Sequence, residues 1–284
     1  MSQLYHFISG LPRSGSTLLA ALLAQNPRFQ ASMSSPVGSL FKNMQKVMHP
    51  HNESSMQLPD KKRHCLLEGL FHNYYADEEE KDIIFDTNRL WTSELPLVKK
   101  LFPNAKVLCC VRNPAWIMDS FEQQLVKHPF EISALYNNDS ERSTVYTRVD
   151  SLALYDRVFG FAWSALKEAY YGANAAELLL IDYDLLTQSP EKTLRLVYKF
   201  LDIPYYEGHD FNNVNFDAKA FDKMLGMPSL HHVRKKVQFQ TRQTILPPDL
   251  FERFEKLAFW HDGTQSAANV IAIKPKEPKN KEKI

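Results

Sequence analysis

The sequence predicts an α/β fold: one three-layer domain built around a central parallel sheet. Three observations carry this. Short apolar runs rich in β-favouring residues alternate with helical patterns along the chain. The run Lys106–Val111 is almost continuously apolar, as expected of a parallel strand covered on both faces. The chain opens with a strand, a Gly-containing loop and a helix, which is the start of a βαβ unit. Its 284 residues suit one such domain with a few insertions, expected over 1–272.

Leu4–Ser9 reads as the first strand, Gly10–Ser16 as a loop, and Thr17–Gln25 as a helix closed by Asn26-Pro27. Val37–Met48 is expected to be helical, residues 49–60 a loop, and Lys61–Tyr75 a helix with Leu66, Leu67, Leu70 and Phe71 on one face. The charge run Asp77–Lys81 reads as a solvated turn. Ile83–Asp86 is a short strand and Trp91–Phe102 a helix. After the strand Lys106–Val111, Asn113-Pro114 supplies an N-cap and a first helical residue. Val149–Tyr171 reads as one long amphipathic helix and Leu178–Ile181 as a further buried strand. Ser189-Pro190-Glu191 opens another helix, Phe221–Leu225 is a short one and Pro248–Phe259 the last. Residues 273–284 are charged and nearly free of apolar side chains, so a disordered tail is expected.

Composition removes several classes of function. Hydrophobic residues make up 44% and charged residues 24%, enough for a packed core. The net charge of +1 offers no general attraction to nucleic acid or an anionic membrane. The stretch Leu4–Leu23 is broken by His6, Gly10, Pro12 and Arg13, so it is neither a signal peptide nor a membrane span; a cytoplasmic protein is expected. The three cysteines have neither disulfide-framework nor metal-ligand spacing, which fits a reducing compartment, with Cys109 and Cys110 buried in their strand.

The loop Gly10-Leu-Pro-Arg-Ser-Gly-Ser-Thr17 carries the strongest signal. Gly10, Gly15 and Thr17 stand where a P-loop has its glycines and hydroxyl residue, but Ser16 takes the place of the lysine and the cation sits mid-loop as Arg13. Backbone N–H groups and a helix N-terminus still face an anion there. Losing the lysine that reaches a triphosphate argues against an ATPase or GTPase. A mid-loop arginine suits a 5′-phosphosulfate, whose bridging oxygen gains charge as the S–O bond breaks. The bland alternative is a Gly/Ser turn that only reverses the chain. A second candidate anchor is Arg112, directly after the central strand, with Ser120 two helical turns on. The pair would suit a terminal phosphate; otherwise Arg112 forms a structural ion pair with Asp119 or a helix C-terminus.

Together these segments resemble the PAPS-dependent sulfotransferase superfamily, which uses 3′-phosphoadenosine 5′-phosphosulfate (PAPS). Residues 7–23 look like its 5′-phosphosulfate loop, and residues 106–121 look like its 3′-phosphate segment with the Arg-to-Ser spacing. Leu179–Glu191 is a third match, in register. The resemblance spans roughly 5–205 and implies a P-loop-like fold and sulfuryl transfer from PAPS, with no metal. It assigns Arg13, Ser14, Gly15, Ser16 and Thr17 to the 5′ end, Arg112 and Ser120 to the 3′-phosphate, and Tyr183 to the adenosine side. Arg13 makes the loop more like that of tyrosylprotein sulfotransferases and many bacterial members than that of the cytosolic enzymes, which have lysine. The family's late basic segment is matched loosely by Leu230–Arg242, which also reads as a solvated basic strand.

The base that would activate an acceptor does not carry over. Ala31-Ser-Met-Ser-Ser-Pro36 lacks the glutamate of the tyrosylprotein enzymes, and Asp86-Thr-Asn-Arg89 lacks the histidine of the cytosolic ones. Asp86, a carboxylate at a strand end, is the candidate base, or else an ion-pair partner of Arg89 or a helix cap. His6 reads as a packed core residue and His231-His232 as a surface pair. Residues 37–80 and 125–150, lying between the matched segments, are expected to shape the acceptor pocket. The acceptor itself (sugar, lipid, peptide or secondary metabolite) stays open. The rival reading is a P-loop-like nucleotide kinase or another nucleotide-binding protein.

Overall fold

Each strand that reads as continuously apolar lies inside one parallel sheet. In the computed structural model, which describes residues 3–130, 133–224, 230–262 and 265–272, the strands are β1 (Leu4–Gly10), β2 (Phe29–Ala31), β3 (Ile83–Thr87), β4 (Val107–Val111), β5 (Leu178–Asp182) and β6 (Asn269–Ile271). They pair in the order β2-β3-β1-β4-β5-β6, every pair parallel. The helices are α1 (Ser16–Leu23), α2 (Val37–Val47), α3 (Asp60–Tyr74), α4 (Leu95–Leu101), α5 (Pro114–Lys127), α6 (Asp139–Arg142), α7 (Val145–Ala153), α8 (Val158–Tyr171), α9 (Tyr183–Gln188), α10 (Pro190–Leu201), α11 (Lys219–Met224) and α12 (Pro248–Glu255).

Successive strand residues point to opposite faces, and both faces are apolar. Phe7, Ile84, Val107, Cys109 and Leu180 join one core with α2, α3, α4, α5, α7, α8 and α12. Ile8, Phe85, Leu108, Cys110 and Ile181 join the other with α1 and α10. Cys109 and Cys110 are free thiols buried on opposite sides of the sheet, and Cys65 is a free, exposed thiol. His6 is 1% exposed, and Nδ1 accepts from the Lys106 N–H at 3.1 Å. Burial first, then the charges of Lys106 and Lys99, pull its pKa down to about 4, so it packs as a neutral core residue.

Several boundaries differ from the sequence reading. The expected helix Val149–Tyr171 is two, α7 and α8, joined by a turn over 154–157. A Cβ on Gly160 would collide with the carbonyls of Ala153 and Leu154, so the absent side chain lets α8 pack back on the end of α7. Arg157 clasps the turn through Ser151 Oγ at 2.9 Å and an ion pair with Glu141. The expected helix Trp91–Phe102 is a 3₁₀ turn over Arg89–Thr92 followed by α4. The edge strands β2 and β6, three residues each, are too short to show a period-two pattern. Leu225, at the end of the expected short helix, and the charged tail 273–284 lie outside the described residues. Among the described residues no helix is long and apolar enough to cross a membrane.

Candidate functional site

Parallel strands deliver their following loops to one edge of the sheet, and ligands of such sheets sit there, where the strand order switches sides. β3 and β4 flank β1, so the loops after these three strands converge. With the start of α9 and the segment from Leu230 to Arg242 they line a cleft of about 680 Å³. Arg13, Gly15, Ser16, Thr17, Arg112, Ser120 and Tyr183 all line it.

The loop after β1 is held by its own residues. Gly10 and Gly15 have φ of 106° and 94°, and Arg13 adopts a φ of 58°, costly for a side chain other than glycine. Ser14 does not face the cleft as the resemblance implies: it is fully buried, and its hydroxyl donates to the carbonyls of Leu11 and Cys110, the latter at 2.8 Å. Its side chain braces the loop. Gly15 caps α1, whose first turn carries no acidic residue and presents Ser16 and Thr17 to the cleft. A Cβ on Gly15 would stand 2.7 Å from the Tyr183 ring.

Arg13 joins the two predicted anchors. Its Nε donates to Ser120 Oγ at 3.1 Å, and another guanidinium N–H donates to the Leu230 carbonyl. Burial first, then the neighbouring charge of Arg112, lowers its pKa to about 10, so it stays protonated at neutral pH. Arg112 lies over the Tyr183 ring, 4.4 Å from its centroid. It does not pair with Asp119. That carboxylate is taken by Arg242 at 2.8 Å, by Thr244 Oγ1 at 2.9 Å and by the Ile245 N–H at 2.8 Å, which ties the late basic segment to α5. Asp182 sets Tyr183 in place by accepting from the N–H groups of Asp184 and Leu185 at 2.8 and 3.3 Å.

The electrostatics favour an anion. Seven lysines and arginines line the cleft and, among the described residues, no aspartate or glutamate does, although the whole chain has a net charge of only +1. Five buried polar atoms of lining residues find no partner among the described residues: Ser9 Oγ, Thr87 Oγ1, Arg112 Nε, Gln124 Oε1 and Arg242 Nε. Orphaned buried polar atoms are costly, and here four donors and one acceptor gather where a ligand would satisfy them.

Asp86 is not part of this surface. It is 0% exposed and accepts from Trp91 Nε1 at 2.8 Å, Tyr75 OH at 2.6 Å and Ser35 Oγ at 2.5 Å. Burial raises its pKa against those three donors. It neither pairs with Arg89 nor caps a helix, and it does not line the cleft. His231, expected on the surface, lines the cleft. His231 Nδ1 lies 2.6 Å from Asp222 Oδ1, and its backbone N–H donates to Asp222 Oδ2 at 3.0 Å. The two stand nine positions apart in sequence, a separation that no helix or strand period announces. Of the two segments expected to shape an acceptor pocket, 125–150 sends Lys127, His128 and Leu135 to this cleft, and 37–80 sends none of its described residues, because α2 and α3 pack on the sheet face.

The profile described as the Sulfotransferase family matches residues 6–207. The chain belongs to the sulfotransferase family. The match runs from within β1 through β5 and includes Arg13, Arg112 and Tyr183. This sulfotransferase is a transferase of sulfuryl groups, and nothing favours the kinase alternative. Its fold is that of solved bacterial sulfotransferases. The sulfotransferase domain of the Synechococcus PCC 7002 olefin synthase is 18% identical, with a TM-score of 0.50 over 90% of this chain and 94% of that one. A sulfotransferase from Alicyclobacillus acidocaldarius is 14% identical, with a TM-score of 0.50 over 89% of this chain and 90% of that one. Comparison with curated proteins finds no match.

Proposed function

We propose that this sulfotransferase takes its sulfuryl group from PAPS and passes it to a hydroxyl acceptor in the same cleft, within one domain spanning 1–272. The observation that carries this reading is the meeting of the two anchors: the Arg13 loop and the Arg112–Ser120 pair line one cleft and touch through the Arg13–Ser120 hydrogen bond. In this reading Arg13, Gly15, Ser16 and Thr17 hold the 5′ end. Arg112 and Ser120 hold the 3′-phosphate, and Tyr183 lies along the adenosine. Arg112 Nε, buried and without a partner among the described residues, fits a phosphate oxygen. Free, exposed Cys65 suits a reducing, cytoplasmic setting.

The residues divide the chemistry between them. Sulfuryl transfer moves a group of spread negative charge in line between two oxygens, so positioning and charge stabilisation dominate. Arg13 stabilises the departing phosphate. His231, oriented by Asp222, takes the acceptor's proton. Burial first, then Arg13 and Arg89, hold its pKa below the ordinary value against the pull of Asp222, so the imidazole is neutral and able to accept a proton at pH 7.

Two experiments test this. Adenosine 3′,5′-bisphosphate (PAP) should raise the melting temperature and ATP-Mg should not; Arg112→Ala should weaken PAP binding by about 10–100-fold, the scale of a charged hydrogen bond. A shift with ATP-Mg alone, or an undiminished PAP shift in Arg112→Ala, overturns the assignment. For the base, kcat/KM should fall with acid as His231 protonates, with a midpoint below the ordinary imidazole value of 6.5. His231→Gln should cost about 100-fold and abolish that limb. An unchanged acid limb in the variant removes His231 from the mechanism.

A further inference from the structure

Arg89 is a cation of the cleft that the donor reading leaves unused. Asn88 fixes its backbone by accepting from the Leu90 N–H at 3.0 Å, which starts the turn Arg89–Thr92. Arg89 lines the cleft and is exposed. The surrounding wall still lowers its pKa. Its side chain makes no hydrogen bond or ion pair with any described residue. Three other arginines of the cleft are engaged: Arg13 with Ser120 and Leu230, Arg112 against Tyr183, Arg242 with Asp119.

Topology gives Arg89 its place. β3 and β4 lie on opposite sides of β1, so Arg89 and Arg112 stand on opposite sides of the Arg13 loop. If Arg112 marks the nucleotide, Arg89 marks the acceptor. His231 lines the same cleft as Arg13 and Arg89. We propose that the acceptor is an organic acid, a hydroxyl compound carrying a carboxylate or other fixed negative charge, and that Arg89 holds that charge while the hydroxyl meets His231. A guanidinium offers two parallel N–H donors that match a carboxylate, and no carboxylate of the described protein competes in the cleft. The proposal rests on the donor reading above.

The test uses the full chain and separates the two readings. PAP stabilisation is measured first, in the wild type, Arg89→Gln and Arg89→Lys. Initial rates with PAPS are then compared for acceptor pairs differing only in charge: 4-hydroxyphenylacetate and its amide, 3-hydroxyoctanoate and its amide, glucuronate and glucuronamide. The acid of at least one pair should have at least about a tenfold higher kcat/KM, the scale of one charged hydrogen bond. Arg89→Gln should bring that ratio close to one with PAP stabilisation unchanged, and Arg89→Lys should keep part of the preference. Amides equal to acids in every pair, or an unchanged ratio in Arg89→Gln, overturn the proposal. So does an equal loss with acid and amide, which would put Arg89 on the sulfuryl group. No turnover with any acid while PAP still stabilises also overturns it and leaves the donor site standing. Failure of PAP to stabilise overturns the donor reading itself.

Discussion

Arg13→Ala lowers turnover by about two orders of magnitude or more, the scale of losing one preorganised charged donor at a leaving group. The geometry explains why the effect should be large. Arg13 is held at a φ of 58° and tethered through Nε to Ser120, so its guanidinium is aimed before any substrate arrives. A pKa of about 10 keeps the charge on at neutral pH even though burial works against it. Arg13→Lys keeps the charge but loses the tether, and should fall between the two. Single-turnover rates with saturating PAPS are the measurement. Near-wild-type rates in Arg13→Ala would remove the residue from the transfer step.

Asp86→Ala costs at least about 3 kcal/mol of stability, because it strands the Ser35 hydroxyl, the Tyr75 hydroxyl and the Trp91 indole N–H in the core. That is a large part of the 5–15 kcal/mol that keeps a typical domain folded. These donors come from the loop before α2, the end of α3 and the turn after β3, so the carboxylate ties three segments together. Asp86→Asn keeps an acceptor oxygen and should lose less. Urea unfolding measures both. The acid limb of the rate profile separates a tie from a base: it should survive in Asp86→Asn. Disappearance of that limb with stability intact would return Asp86 to the chemistry.

What could be read from sequence was what local residues dictate. The loop after β1 is set by Gly10 and Gly15, and the inner strands announce themselves because both faces are buried. Arg112 and Ser120 were legible because a strand end and a helical repeat place them by simple geometry. Side-chain contacts that follow no strand or helix period were not. His231 meets Asp222 from nine positions away, and the partners of Asp86 lie 51, 11 and 5 positions away in three different elements. The joint between α7 and α8 was hidden because residues 149–171 keep an amphipathic pattern across it, and only the close approach at Gly160 reveals the turn.

The bond from Arg13 to the Leu230 carbonyl fastens the late segment to the loop after β1. An incoming phosphate that claims the same N–H must displace that carbonyl. Occupancy of the pocket and release of the strap then become one equilibrium, and thermodynamic reciprocity makes each shift the other by the same factor. Substitutions that slacken the strap, even far from any substrate, should therefore tighten anion binding.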